Sequence, residues 1–193
     1  GSGENDWALS NQGGELKVLG GGDATTIGGL SEKVRFQSNG GISFNGDTAA
    51  ANALNDYEEG TWTPVIKSGT NTISYSGGNQ HFRYTKIGDK VTVYFSMNGV
   101  TTSGTTGGNC EVEGLPFAMA NDVVTERTMG TISMFYSSGF RFSAFPVWPH
   151  INSPNTKVEF YNKGSATSAY NGTTVGQVGS DTYWFWQITY RVA

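Results

Sequence analysis

Apolar runs in the first third of the chain are too short to bury themselves, and this limits its possible folds more than any other feature. Leu16–Leu19, Val34–Phe36 and Ile42–Phe44 are separated by glycine- and asparagine-rich steps such as Gly20–Gly22 and Asn39–Gly41. Glycine and asparagine tolerate positive φ, so turn signals at this density predict tight reversals between short strands. Apolar and polar residues alternate in Val34–Phe36, which predicts a strand with one buried face.

A single chain would cover such short strands poorly. Gln37–Ser43 predicts a hairpin reversal into Ile42–Phe44. We therefore expect residues 1–46 to form the end of an intertwined fibre shaft, in which three copies contribute strands to shared sheets. A disordered or loosely draped N-terminus is the alternative.

Residues 47–60 contain the pattern that best fits a helix. Asp47 is a suitable N-cap, because its carboxylate can accept hydrogen bonds from the first free backbone N–H groups. Four apolar residues then follow at the spacing of one helical face: Ala50, Ala53, Leu54 and Tyr57. A helix this short is marginal on its own, so this face should pack on its own domain or against sister copies. We predict these four residues as a trimer junction.

From residue 61 to the end, apolar and polar residues alternate clearly. Val91–Met97 is the cleanest case, and the tight turn within Lys86–Lys90 predicts a hairpin leading into it. The final run, Tyr183–Val192, places two tryptophans, an isoleucine and a tyrosine on one face, so we expect it to be a central strand. Many short strands with turns between them predict an all-β domain over residues 61–193, an antiparallel β-sandwich of jelly-roll-like form.

The alternation breaks at Phe145–Pro154. Pro146 and Pro149 interrupt the run, and proline cannot donate to a sheet ladder. The segment is therefore predicted to be a bulged strand end that passes into an ordered loop. It contains Trp148, His150 and Asn152, whose side chains are unusual in a simple linker.

Composition narrows the classes of partner. The formal net charge is −4, which argues against nucleic acid and does not favour an anionic membrane surface. No stretch is long and apolar enough to predict a membrane span, and one cysteine allows no internal disulfide. The stability of the folded protein outside a cell would have to come from packing or oligomerisation.

Catalytic and metal-binding patterns are weak. The two histidines, His81 and His150, accompany no local nucleophile signature, and no Cys/His cluster is present. Glu111 and Glu113 share one predicted strand face, which favours solvent exposure for both. We therefore expect no enzyme activity, no cofactor and no metal, while a polysaccharide depolymerase stays as an alternative because carboxylate pairs can form on folding.

The remaining polar and aromatic residues suit recognition of a sugar. An aromatic face can pack on the C–H surface of a pyranose while amides bond to its hydroxyls. The predicted ligand-binding residues are Tyr136, Trp148, His150, Asn152, Tyr170 and Asn171. Each has a structural alternative, as a domain plug, a core or interface aromatic, or a turn former.

One stretch, DTAAANALNDYEEGTWTPV at residues 47–65, also carries a resemblance. It resembles the junction in many bacteriophage tail fibres and related adhesins, where a trimeric shaft passes into a C-terminal β-rich tip. Three later segments fit the same pattern: Arg83–Asp89, Gly114–Phe117 and Ile188–Ala193. The resemblance thus extends from about residue 41 to the end of the chain, although most residues between the motifs do not take part.

The resemblance implies a homotrimeric receptor-binding tip on a virion tail fibre or another extracellular or cell-surface fibre. Such a tip would bind a glycan of a target bacterium, such as lipopolysaccharide, capsule or another envelope polysaccharide, without catalysis. Membrane insertion and nucleic-acid binding are not expected. A structural or assembly tip with no ligand is the second interpretation.

Overall fold

The computed structural model describes residues 5–22, 24–49, 53–54, 56–120, 127–137, 140–142, 147–152, 156–163 and 170–192. Within these ranges the chain is nearly all β, with antiparallel strand pairs, as the sequence predicted. It divides into two compact units, Gly1–Tyr57 and Glu58–Ala193.

The first unit contains an antiparallel sheet in which each strand pairs with the next along the chain. Its elements are β1 (Asp6–Gln12), β2 (Glu15–Gly21), a short 3-10 turn (Ile27–Gly29), β3 (Ser31–Phe36) and β4 (Ile42–Phe44). The predicted hairpin into β4 is confirmed, since Val34 lies opposite Phe44. These strands pair within one chain, so their hydrogen bonds need no strands from sister copies, and the intertwined trimer stays a prediction.

The two faces of this sheet differ sharply in chemistry. In the register, Leu16 lies opposite Phe36 and Phe36 opposite Ile42, which forms an apolar row across three strands. Yet Leu16 and Phe36 are each 44% exposed, while Arg35 on the opposite face is only 9% exposed. The expectation that the Val34–Phe36 face is buried is therefore wrong for the chain by itself.

The predicted helix at 47–60 is not formed in the described part of the chain. Asp47 Oδ1 accepts the Ala49 N–H at 2.8 Å, but the chain then enters no helical turn that the structure describes. Leu54 instead pairs with Ile42, each accepting the other's N–H at 2.8 and 2.9 Å. Tyr57 begins a strand. Sheet pairing with Ile42 therefore outweighs the weak helical preference of so short a segment. Ala53 lies in a bend, and Ala50 lies outside the described residues.

The second unit is built from short strands around one core. Its strands are β5 (Tyr57–Thr61), β6 (Val65–Ser68), β7 (Asn71–Ser76), β8 (Asn79–Ile87), β9 (Lys90–Ser103), β10 (Cys110–Glu113), β11 (Arg127–Met129), β12 (Thr131–Ser137), β13 (Arg141–Phe142), β14 (Val147–Asn152), β15 (Lys157–Lys163), β16 (Tyr170–Gly172), β17 (Val175–Gln177) and β18 (Thr182–Arg191). The first of these starts at the last residue of the first unit. The predicted hairpin at Lys86–Lys90 is confirmed as the turn between β8 and β9, where Gly88 has a φ of 58°.

In the described residues these strands form one 12-stranded sheet and a separate pair, β13 with β17. The main path of the large sheet runs β11-β14-β15-β10-β6-β7-β9-β18-β12, and β8 pairs with β9 and with β5. Because β11 and β12 are neighbours along the chain and lie at the two ends of this path, the sheet is strongly curled. The two-layer sandwich of the sequence analysis remains an expectation.

Glycines lie at two corners of the curled sheet, between β7 and β8 and between β11 and β12. β7 and β8 pair with consecutive parts of β9 and are joined by Gly77 and Gly78, with φ of 67° and 60°. A Cβ on Gly78 would lie 2.4 Å from the carbonyl oxygen of Asn98. Gly130 joins β11 to β12, and a Cβ there would lie 2.3 Å from the carbonyl oxygen of Gln187. Both corners therefore require glycine.

Alternating residues of the final strand anchor the core. β18 lies between β9 and β12, which confirms its central position. Trp184 and Trp186 are 0% and 2% exposed, and Phe95 of β9 stacks on Trp186 with ring centroids 4.8 Å apart. The ring centroid of Phe160 on β15 lies 5.1 and 5.8 Å from those of the same two tryptophans, so aromatic contacts join β15 to β18 across the core.

Candidate functional site

Trp148 and His150 lie on a strand and not in the loop that the sequence predicted. β14 pairs with β11 on one side and with β15 on the other. Pro149 lies within this strand opposite Phe160, and its carbonyl oxygen accepts the Gly130 N–H at 2.9 Å. Because both neighbouring strands pair with β14, the predicted loop is wrong over Val147–Asn152, and the ends of the predicted segment lie outside the described residues.

The strand register sorts these side chains onto two faces. Val147 and Ile151 are buried in the core cluster, so Trp148 and His150 lie on the opposite face of the sheet. Trp148 lies opposite Tyr161, and His150 lies opposite Glu159. We call this group the β14–β15 surface; its members are Trp148, His150, Glu159 and Tyr161.

His150 offers little area to a ligand, because it is the most buried member of this surface. The side chain is largely buried, and its ring packs edge-on against Tyr161 with centroids 5.0 Å apart. Its Nδ1 lies 3.9 Å from a Glu159 carboxylate oxygen, and the Tyr161 hydroxyl donates to the same oxygen at 3.3 Å. His150 therefore packs against Tyr161, which bonds to Glu159, while Trp148 and Tyr161 keep partly exposed rings.

A lysine bridges two carboxylates beside this surface. Lys157 Nζ lies 2.8 Å from a Glu111 carboxylate oxygen and 3.2 Å from one of Glu159. Burial alone would lower the pKa of Lys157, but its hydrogen bonds to Glu111 and Glu159 outweigh this and raise the pKa. The lysine thus stays protonated and leaves the three groups with one net negative charge. Carboxylate oxygens in this setting can accept hydrogen bonds from sugar hydroxyls.

Most of the other predicted ligand residues lie on nearby strands. Asn152 continues β14, and Tyr170 and Asn171 lie on β16, which pairs with the edge of β15 opposite to β14. Asn171 is exposed. Tyr136 lies on β12 opposite Tyr183, in another part of the sheet. The side chains of Asn152, Tyr170 and Tyr136 are outside the described part of the structure.

Sequence reasoning missed half of the β14–β15 surface. Glu159 and Tyr161 were not predicted, nor were the neighbouring Lys157 and Glu111. A signal for them exists, because Val158 and Phe160 alternate with Lys157, Glu159 and Tyr161 and so predict an outward face for these residues. Local alternation does not predict which strand pairs with this one, so it could not place Trp148 and His150 next to these residues.

A second candidate surface lies on the first unit. The register gathers apolar residues on one side of its sheet, and we call this the apolar face: Leu9, Leu16, Val18, Val34, Phe36, Ile42, Phe44 and Leu54. Leu9, Phe44 and Leu54 are 69%, 53% and 44% exposed. The opposite face carries an ion-pair network, in which Arg35 contacts Glu15 at 3.0 Å and Glu32 at 2.6 Å. The chain therefore exposes the face that water favours less.

Among the described residues, no three or more His, Cys, Asp and Glu side chains come together as a metal site would require. Nor does any helix in that part of the chain have the length and hydrophobicity to span a bilayer.

Comparisons with known proteins add no family assignment. No protein-family model matches the chain, and no curated protein matches it. The relation to phage tail fibres and adhesins therefore remains a resemblance, carried by the motifs quoted above.

Proposed function

We propose that this chain forms the receptor-binding end of a homotrimeric fibre, of the kind found in bacteriophage tails and related adhesins. It binds a glycan on the surface of a target bacterium and carries out no chemistry on it. The fibre belongs to a virion tail or to another extracellular surface. In this proposal the curled sheet of the second unit acts as the sandwich-like tip.

The apolar face of the first unit is the observation that carries the proposal. Burying one large apolar side chain contributes roughly 1.5–3 kcal/mol, so leaving several of them in water is costly. Exposed apolar patches of this kind mark interaction surfaces. Two further copies of the same face, related by a threefold axis, would cover it.

Copies of the chain are the occupant that fits best. The face includes Leu54, which lies within the segment that resembles the shaft-to-tip junction of trimeric fibres. The ion-paired opposite face, by contrast, already satisfies its charges within the chain. Three sheets that pack by their apolar faces would bury Leu16 and Phe36 without exchanging any strand.

The β14–β15 surface supports the recognition part of the proposal. The partly exposed rings of Trp148 and Tyr161 offer aromatic area for a pyranose, and Glu159 lies beside them as an acceptor. Contacts with one sugar are weak, but three copies on one fibre raise the effective concentration and therefore the avidity.

Sedimentation equilibrium at micromolar concentration tests the trimer. We expect a mass three times that of the chain, with no monomer at the upper end of the concentration range. A clean monomer throughout would contradict the proposal.

Attachment of the labelled protein to bacteria tests recognition, together with a glycan array. We expect binding to at least one envelope polysaccharide, and Trp148→Ala should weaken it by about tenfold or more through loss of the stacking ring. Asn98→Ala, an exposed change on β9, which pairs with neither β14 nor β15, serves as the control. Release of reducing ends from the bound polysaccharide would instead indicate a depolymerase.

An assembly tip without a ligand is the second candidate. It is favoured by the way in which the polar groups near the β14–β15 surface bind each other, with Lys157 held by both Glu111 and Glu159. Unchanged attachment of the Trp148→Ala variant, together with an array that shows no binding, would support this interpretation.

A further inference from the structure

A groove of about 590 Å³ lies on the second unit, between β5, β8 and β9. It shares no residue with the β14–β15 surface, and no sequence pattern predicts it. We call it the Arg83 groove, and its lining residues are Glu59, Gly60, Thr61, Arg83, Tyr84, Thr85 and Tyr94.

A cation and an aromatic ring lie side by side in this groove. Arg83 and Tyr94 lie directly opposite each other on β8 and β9. Both point away from the core, since their neighbours Phe82 and Phe95 pack together with ring centroids 4.8 Å apart. Tyr94 is 44% exposed. Arg83 is also exposed and forms no ion pair or hydrogen bond with any described residue, so its guanidinium is available to a ligand.

On the opposite, core-facing side of β8, a glycine and a tyrosine hold β5 beside this strand. A Cβ on Gly60 would lie 2.6 Å from the ring of Tyr84, so only glycine lets β5 lie this close. The Tyr84 hydroxyl donates to the Glu58 carboxylate, and this hydrogen bond raises the pKa of Tyr84. The position of β5 beside β8 is therefore fixed before any ligand arrives, which lowers the cost of binding.

Polar groups continue from the groove across the sheet. Gln187 of β18 lies opposite Tyr94 and is exposed. One row along, Thr92 lies between Thr85 and Thr189, and the hydroxyls of Thr92 and Thr189 are 2.8 Å apart. A ligand on Tyr94 would thus meet a guanidinium on one side and an amide on the other, with hydroxyls next to both.

We propose that the Arg83 groove binds a carboxylate-bearing sugar residue, such as a uronic or sialic acid, within an acidic envelope polysaccharide. Arg83 takes the carboxylate in its planar fork, which matches the two oxygens of that group. Tyr94 packs against the C–H face of the ring, and Gln187 bonds to a hydroxyl.

This inference rests on the proposed glycan recognition and names the chemical class of one bound residue. It gives the Arg83 groove a charge preference that the β14–β15 surface, with its net negative neighbours, does not have. The two surfaces can therefore be separated by their response to the charge of the sugar.

Titration of the whole protein with acidic sugars and their neutral counterparts tests it, with binding followed by NMR or calorimetry. The probes are glucuronate against glucose, galacturonate against galactose, and N-acetylneuraminate against N-acetylmannosamine. We expect at least one acid to bind about tenfold or more tightly than its neutral partner. Arg83→Met should abolish this preference, Arg83→Lys should keep part of it, and Trp148→Ala should leave it unchanged.

Absence of an acid preference in every pair, or an unchanged preference in Arg83→Met, overturns the inference. Equal binding of inorganic phosphate also overturns it, because the site would then be a general anion site. Thermal melting of Arg83→Met should match the parent protein, since the side chain is exposed. Attachment to bacteria that persists without any acid preference would reject this inference and leave the proposed function standing. Loss of both would reject the two together.

Discussion

Leu16 on β2 lies directly opposite Phe36 on β3, and each of these side chains is 44% exposed. They form the centre of a row on the apolar face. Three copies packed around an axis would remove this row from water, so substitution of these two residues tests the assembly directly.

Replacing both residues by aspartate should convert the proposed trimer to monomer. Buried like charges from three copies would repel and would lack partners, which a packed interface does not tolerate. Light scattering after size exclusion measures the mass. Ser38→Asp with Asn39→Asp adds the same charge at exposed positions of the β3–β4 turn and should leave the trimer intact. A trimer that survives the Leu16 and Phe36 changes would show that the apolar face is not the interface.

Trp184→Ala should destabilise the second unit by about 3–5 kcal/mol, because it removes a large buried ring and leaves a cavity. The side chain is fully buried and lies 4.8 Å from the Phe95 ring and 5.1 Å from the Phe160 ring. Urea unfolding measures the loss in the free energy of unfolding, followed by far-UV circular dichroism because the substitution removes a tryptophan fluorophore. Asn98→Ala, an exposed change on β9, should stay within about 0.5 kcal/mol of the parent protein. A loss below about 1 kcal/mol for Trp184→Ala would contradict the central role of β18.

The two glycines at the β7–β8 corner should respond differently to alanine. Both have positive φ, so each substitution costs about 1–2 kcal/mol in backbone strain. Gly77 has open space around its Cβ position, whereas a Cβ on Gly78 meets the Asn98 carbonyl oxygen at 2.4 Å. Gly78→Ala should therefore lower the unfolding midpoint well beyond Gly77→Ala. Equal midpoints for the two variants would mean that the corner is not as tightly packed as described.

Acid should weaken the first unit through Glu32. A hydrogen bond from Arg35 is the largest cause of the lowered pKa of Glu32 in the folded chain. Its contribution to stability is therefore present above the ordinary value of 4.5 and is lost as pH falls through the lower, folded-state pKa. Melting at neutral pH and at about pH 3 should show a smaller drop for Glu32→Gln than for the parent protein. Asp181→Asn, at an exposed position, should keep the full drop, and equal drops in all three proteins would rule out the role of Glu32.

Strands and hairpins were predictable where local alternation carries the information. The buried face of β18 and the Gly88 turn follow from spacing and turn chemistry alone, and the structure confirms both. The helix at 47–60 failed because its four apolar positions fit a helical face by spacing, while Leu54 finds a strand partner in Ile42. Such a partner is distant in sequence and leaves no local signal.

The candidate site was predictable in part for the same reason. Trp148 and His150 were singled out by residue type, and the structure places them together on one face of β14. Glu159 and Tyr161 complete that face only because β15 pairs with β14, and cross-strand register is not encoded in either segment alone. The Arg83 groove depends on a pairing of the same kind, between β8 and β9.

The central place of β18 has a consequence for how the protein is made. Among the strands of the second unit, the one that lies between β9 and β12 is also the last along the chain. Until Arg191 has left the exit tunnel, the inner faces of Phe95 and Phe160 lack their tryptophan partners. The core of the second unit can therefore close only when all of its other strands have already been made.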